Sequence, residues 1–256
     1  MGKNQVKKTY MNRRIILVIT LFIFVLVCYA CRDKKLPVYV VSYTNSKIIV
    51  DGNLDEQIWN DVIRFSLKEN ETGVPVKDSA VMTWGMACHD MENFYLAFIC
   101  NDPDIWGNYN CRDDYLWKEE VVEVFIDTDD NSDNYIEIEV SPLNTLFDSY
   151  IVNPEDIDFQ ETAKFNLKNI QTAVKIYGTL NNRVDKDLKW TVEISIPFAD
   201  MLDGKQFKLK NQKEWRINFY RVNRDEGREE GKYSWSPTFG RFHTPSKFGI
   251  LEFNKK

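Results

Sequence analysis

Apolar and polar residues alternate with period two in short runs over most of the chain. Phe94, Leu96, Phe98 and Cys100 fall on one side of a run, with Tyr95, Ala97 and Ile99 on the other. Val122, Val124 and Ile126 alternate with Glu123, Phe125 and Asp127. Ile136, Ile138 and Val140 alternate with Tyr135, Glu137 and Glu139. Trp190, Val192, Ile194 and Ile196 alternate with Thr191, Glu193 and Ser195, and Pro197 closes that run. Half-buried strands separated by Asn/Asp/Gly clusters predict an all-β chain, a β-sandwich of antiparallel strands. Helical periodicity is confined to Leu54–Val62, after Asp51-Gly52, and to a turn near Phe198–Leu202. A turn centred near Asn131 sets Glu123 directly opposite Glu139, and Phe125 opposite Glu137, on the outward face of that hairpin.

The first thirty residues follow a different pattern. Lys3, Lys7, Lys8, Arg13 and Arg14 precede a run, Ile15–Ala30, that is apolar but for Thr20. Sixteen residues are short for a bilayer span and suit a signal-peptide core. The run ends in Val27-Cys28-Tyr29-Ala30-Cys31 before Arg32-Asp33-Lys34-Lys35, which resembles a bacterial lipobox with Cys31 as the lipidated residue. The expectation is residues 1–30 as signal peptide and 31–45 as a lipidated tether, with Pro37 leading into extended Val38–Val41. A single β-sandwich domain follows over 46–256, with the extended segment from about Pro37 as its earliest start. The chain is then an exported, lipid-anchored protein of the bacterial envelope; an uncleaved anchor helix would also tether it.

Composition narrows the function classes. The net charge of −6 includes the five leader cations, leaving roughly −11 for the remainder. Such an acidic domain repels phosphate backbones, so nucleic acid is excluded as a partner. With two histidines, His89 and His243, and no nucleophile-elbow or phosphate-loop motif, hydrolytic triads and multi-histidine zinc centres are poorly supplied. Beyond Cys31, the three cysteines Cys88, Cys100 and Cys111 argue against a disulfide framework; Cys100–Cys111 is the one plausible bridge.

Several segments in order carry a resemblance. They are Ile48-Ile49-Val50-Asp51-Gly52-Asn53-Leu54-Asp55-Glu56-Gln57-Ile58-Trp59, Asn93–Phe98, Asn101-Asp102-Pro103, Trp117–Asp127, Trp190–Pro197 and Pro245–Leu251. Together they resemble carbohydrate-binding module family 9, a DOMON-like β-sandwich group, over about residues 46–253. The resemblance implies non-catalytic binding of an oligo- or polysaccharide. It implies a sugar ring between two aromatic walls, here Trp117 and Phe242, with Glu123 among the polar contacts. An arginine and an asparagine of the family correspond to Glu139 and Ser141, and a late-strand glutamine falls near Arg221. Structural calcium is also implied for the family.

Residue chemistry adds candidates. Like charges directly opposed across a sheet are destabilising, so Glu123 and Glu139 call for a cation, solvent or ligand donors; Arg221 or Arg224 would supply that cation. The alternative is a plain solvated acidic face. Trp106 and Tyr109 would extend the aromatic platform. Trp59, Trp84, Trp190 and Trp215 read as core. Asp127, Asp129, Asn131 and Asp133 place oxygens at alternate positions, which suits either calcium or an Asn/Asp-rich turn. Rival readings are a partner-binding envelope subunit, a haem domain using His89 or His243 with Met82, Met86 or Met91, and a glycoside hydrolase using paired acids.

Overall fold

A computed structural model describes residues 35–202, 204 and 214–254. The signal peptide and lipidated Cys31 that the sequence leads one to expect lie outside the described residues. Thirteen strands run in chain order as β1 Val38–Tyr43, β2 Phe65–Ser66, β3 Lys68–Glu69, β4 Thr83–His89, β5 Asn93–Asn101, β6 Val121–Asp127, β7 Tyr135–Val140, β8 Leu146–Ile151, β9 Gln171–Tyr177, β10 Lys189–Pro197, β11 Trp215–Asn223, β12 Gly231–Ser234 and β13 Gly249–Phe253. The short helices are α1 Gln57–Asp61, α2 Phe159–Thr162 and α3 Phe198–Met201.

Two sheets form a sandwich. The first has the order β8-β7-β6-β11-β13-β1, with β12 beside β11; the second has the order β9-β10-β5-β4. Every pairing is antiparallel except those of β1, which runs parallel to β13 at Val38–Val41 and then parallel to β4 at Ser42–Tyr43. One strand thus joins both sheets at the corner. Residues 38–43, expected within the tether, are instead part of the domain, because their backbone groups are used in both ladders.

Period two determines what each face buries. Val122, Val124 and Ile126, Ile136, Ile138 and Val140, and Trp215, Ile217 and Phe219 point inward from the first sheet. Phe94, Leu96, Phe98 and Cys100, with Trp190, Val192, Ile194 and Ile196, meet them from the second.

The outer face of the second sheet is covered as well. Tyr95, Ala97, Met86 and Cys88 pack under Ile48, Trp59 and Val62. Buried Glu193 on β10 organises this layer, accepting hydrogen bonds from the Trp59 indole (2.9 Å) and from the amides of Asp51 (3.0 Å) and Gly52 (2.8 Å). Gly52 has φ +83°, and a Cβ there would sit 2.9 Å from the Lys175 nitrogen, so glycine is required. The Asp-Gly…Trp motif is therefore a clamp onto the second sheet. Cys88 and Cys100 are buried free thiols and Cys111 is an exposed one, so the bridge between Cys100 and Cys111 does not form. Trp59, Trp190 and Trp215 are core residues, Trp84 is half-buried, and Trp235 is buried in the main core.

Candidate functional site

The outer face of the first sheet carries the cleft. Its register places Glu123 on β6 directly opposite Glu139 on β7, and Phe125 opposite Glu137. Neighbouring strands extend these rows, with Phe147 beyond Glu139, Tyr220 beyond Glu123 and Ser149 beyond Glu137. Because Glu137 lies two residues before Glu139, both emerge on the same face. The three glutamates are 1–2% exposed, and one oxygen of each lies within 4.8 Å of the others.

Loops raise walls around this acidic floor. A single 3₁₀ turn, Leu116–Lys118, leads into β6; Leu116 is buried and holds Trp117 half-buried at the rim. The Trp117 ring packs edge-on against Phe147 (5.3 Å) and tilts against Phe159 of α2 (4.7 Å). Opposite lies the segment between β12 and β13. There the Phe242 ring stacks on Tyr220 at 4.2 Å, and the Tyr220 hydroxyl donates to the Phe242 carbonyl at 2.8 Å. His243 stacks over Phe125 at 5.1 Å and shares a 2.6 Å hydrogen bond with the Tyr135 hydroxyl. The cleft is about 240 Å³, lined by Trp117, Phe159 and Phe242, the three glutamates and His243, with Arg224, Lys232 and Arg241 also in its lining.

The electrostatics follow from burial. Glu123 is held well above the usual carboxylate range by burial, then by the charge of Glu137, with Lys232 pulling the other way. Glu139 is raised by burial and by both glutamate neighbours. Burial pushes Glu137 up to about 7, although Ser149 donates a 2.9 Å hydrogen bond to it. His243 is pushed down to about 4 by burial and by the nearby Arg241 charge, so its ring is neutral at pH 7. Protonated carboxyls donate and ionised ones accept. Beside aromatic faces, that floor can grip hydroxyl pairs while the rings cover an apolar C–H surface.

The structure thus brings Trp117, Phe242, Glu123 and Glu139 into one cleft. Arg221 is not there. On β11 it shares the inward face with Phe219, and its side chain is fully buried at the end of the sandwich interior. It donates to Thr83 Oγ1 (3.0 Å), the Asn101 carbonyl (2.7 Å) and Asp102 (2.8 Å), with Glu120 at 3.4 Å. Alternation along β11 sends Tyr220, Val222 and Arg224 outward instead, and Arg224 lines the cleft. Trp106 lies away from the cleft lining: its indole donates to the Arg224 carbonyl at 2.8 Å, and Arg183 covers its ring at 4.4 Å.

The Asp127–Asp133 segment is a hairpin turn closed by its own side chains. Asp127 accepts from the amides of Asp129, Asp130 and Ser132, and Asn131 from those of Asp133 and Asn134. Asp130 and Ser132 have positive φ of 57° and 61°. Backbone donors occupy the oxygens of Asp127 and Asn131, two of the four residues expected to hold calcium, and among the described residues the carboxylate cluster of ligand spacing is the glutamate trio. His89 is buried, with its ring nitrogens against the carbonyls of Asp90 (2.8 Å) and Asn254 (3.2 Å), and Met91 is exposed, an arrangement unlike an axial pair. Phe159, His243, Lys232 and Arg241 had not been assigned to the site from sequence. Arg224, the alternative to Arg221 as the cation of this face, is the one that lines the cleft; for Glu137 the signal is its two-residue offset from Glu139.

Comparison with known proteins agrees with this architecture. An extracellular protein of Arthroderma benhamiae is 28% identical over 207 residues, 76% of this chain and 86% of that protein. Endo-1,4-beta-xylanase A of Thermotoga neapolitana is 26% identical over 211 residues, 81% of this chain but 17% of the enzyme, so the likeness is to one segment of it. Among solved structures, a Bacteroides uniformis protein superposes with a TM-score of 0.65 at 17% identity, covering 86% of this chain and all of that one. A family 9 carbohydrate-binding module of Caldicellulosiruptor kristjanssonii, solved with cellotriose, gives a TM-score of 0.60 at 17% identity over 86% of this chain and 95% of that one. The family model for carbohydrate family 9 binding domain-like proteins matches residues 50–256, and the chain belongs to that family of non-catalytic binding modules.

Proposed function

We propose that this chain is a non-catalytic carbohydrate-binding protein, tethered at the bacterial envelope, that captures oligo- or polysaccharide for catabolism. The observation that carries this reading is the pairing of aromatic walls, Trp117 and Phe242, with a floor of buried carboxyls in one cleft. A sugar ring needs both: an apolar plate for its C–H face and bidentate hydrogen-bonding groups for its hydroxyls. Family membership and the cellotriose and glucose complexes of the Caldicellulosiruptor modules support it. The lipobox-like Cys31 and the leader before it support the tether, which keeps the domain near glycans already brought to the cell surface.

The test is calorimetry and a glycan array on the full chain, beginning with glucose and cello-oligosaccharides and extending to xylan, pectin and host glycans. Saturable binding that is weakened in Trp117→Ala, with the fold intact by circular dichroism, is expected. A blank result across the panel overturns the reading.

A further inference from the structure

We propose that Glu123, Glu137 and Glu139 form a divalent-cation site at the floor of the cleft, suited to calcium and open on its cavity side. The three carboxylates offer oxygens that all lie within 4.8 Å of one another. Calcium–oxygen distances of about 2.3–2.6 Å place ligand oxygens no more than about 5 Å apart, so the trio matches one coordination sphere.

A second observation points to a missing partner. Glu123 Oε1 and Glu139 Oε2 are buried atoms without a hydrogen-bond partner, on side chains 2% and 1% exposed that line the cavity. Among the described residues no Lys or Arg lies within 4.0 Å of these carboxylates. Nearby cations are engaged elsewhere: Lys232 and Arg224 pair with Glu230 at 2.9 and 2.5 Å, and Arg241 with Glu155 at 3.4 Å. His243 stands 4.0 Å from Glu137, beyond hydrogen-bond reach, and its Nδ1 is engaged by the Tyr135 hydroxyl at 2.6 Å.

Buried carboxylates crowded in this way must either hold protons or hold a cation. Sheet register fixes the crowding, because β6 and β7 cannot separate Glu123 from Glu139 without breaking the ladder. Calcium takes six to eight oxygens, and three carboxylates leave positions that face the cavity. Those positions are where water or a pair of ligand hydroxyls would coordinate; this last step rests on the carbohydrate reading, whereas the cation site itself does not.

The experiment is titration of the full chain, stripped with EDTA, with CaCl₂ by calorimetry, and with terbium followed by emission sensitised through the indoles. One saturable calcium site is expected, weakened at least tenfold in Glu139→Gln and Glu123→Gln and unchanged in Asp127→Asn. Trp117→Phe should dim the terbium emission while leaving its affinity intact, a readout that does not depend on the glutamate variants folding. Absence of saturable calcium, magnesium or manganese binding up to about 10 mM, weaker than extracellular calcium modules, overturns the proposal. So does binding that persists in both glutamine variants, or terbium emission indifferent to Trp117. Calcium binding without any glycan binding leaves the site standing and removes the carbohydrate reading. Glycan affinity equal in EDTA and in calcium keeps that reading and overturns the cation's contact with the ligand.

Discussion

Glu123 and Glu139 face each other across the β6–β7 ladder, both buried, with no lysine or arginine within ion-pair distance among the described residues. In chelator-treated protein this opposition is an unrelieved cost. Glu139→Gln should therefore raise unfolding free energy at pH 8 by about 1–2 kcal/mol and by less at pH 5, because burial and the two glutamate neighbours favour the protonated carboxyl as pH falls. Urea titrations at the two pH values check this.

The pH dependence has a defined sign. Glu137 and Glu193 are raised by burial from 4.5 to about 7. The folded state then holds protons that the unfolded chain has released. Their contribution is complete below the ordinary carboxylate value and is lost as pH rises through about 7. His243, lowered to about 4, works in the opposite sense, but only below its ordinary 6.5. Between pH 6.5 and 8 the carboxyls act alone, so stability without metal or glycan should fall across that window. A rise in the urea midpoint over that range would contradict the assigned burial of these groups.

Trp117 is braced by Phe147 and Phe159 yet half-exposed at the rim. Trp117→Ala should weaken glycan binding by about 1–3 kcal/mol, some 5–150-fold, while leaving a cooperative unfolding transition. Phe242→Ala should weaken binding and also lower the melting temperature, because its ring is stacked on Tyr220.

Arg221 and Arg224 separate by role. Arg221→Met leaves Asp102 and Glu120 buried without their cation, and should cost about 3–5 kcal/mol in urea unfolding. Arg224→Ala removes a cleft-lining side chain paired with a partly exposed Glu230. It should change stability by less than about 1 kcal/mol and register instead in ligand affinity.

Glu193 is the anchor of the Asp51-Gly52 segment. Glu193→Ala strips the Trp59 indole and two backbone amides of their acceptor, and should cost about 2–4 kcal/mol. Gly52→Ala should be destabilising for a different reason, positive φ and a 2.9 Å approach to Lys175, and neither change should move the affinity of a variant that stays folded.

The sandwich is legible in the order of residues alone, because period-two alternation admits one inward face per strand. So is the Glu123–Glu139 opposition, because a hairpin turn centred on Asn131 admits one register. The same alternation, carried along Trp215, Ile217 and Phe219, already assigned Arg221 to the interior; its charge drew it wrongly to the surface. What the tertiary structure decided are the groups that arrive from loops. Phe159, His243 and Arg241 come to the cleft from segments with no period of their own, and their position depends on packing against Trp117, Phe125 and the rim. Strand β1 likewise looks like a tether in sequence, and becomes the corner of the sandwich because its backbone finds a partner in each sheet. Local pattern fixes faces and register; which distant loops close over a face follows from the packing of the whole domain.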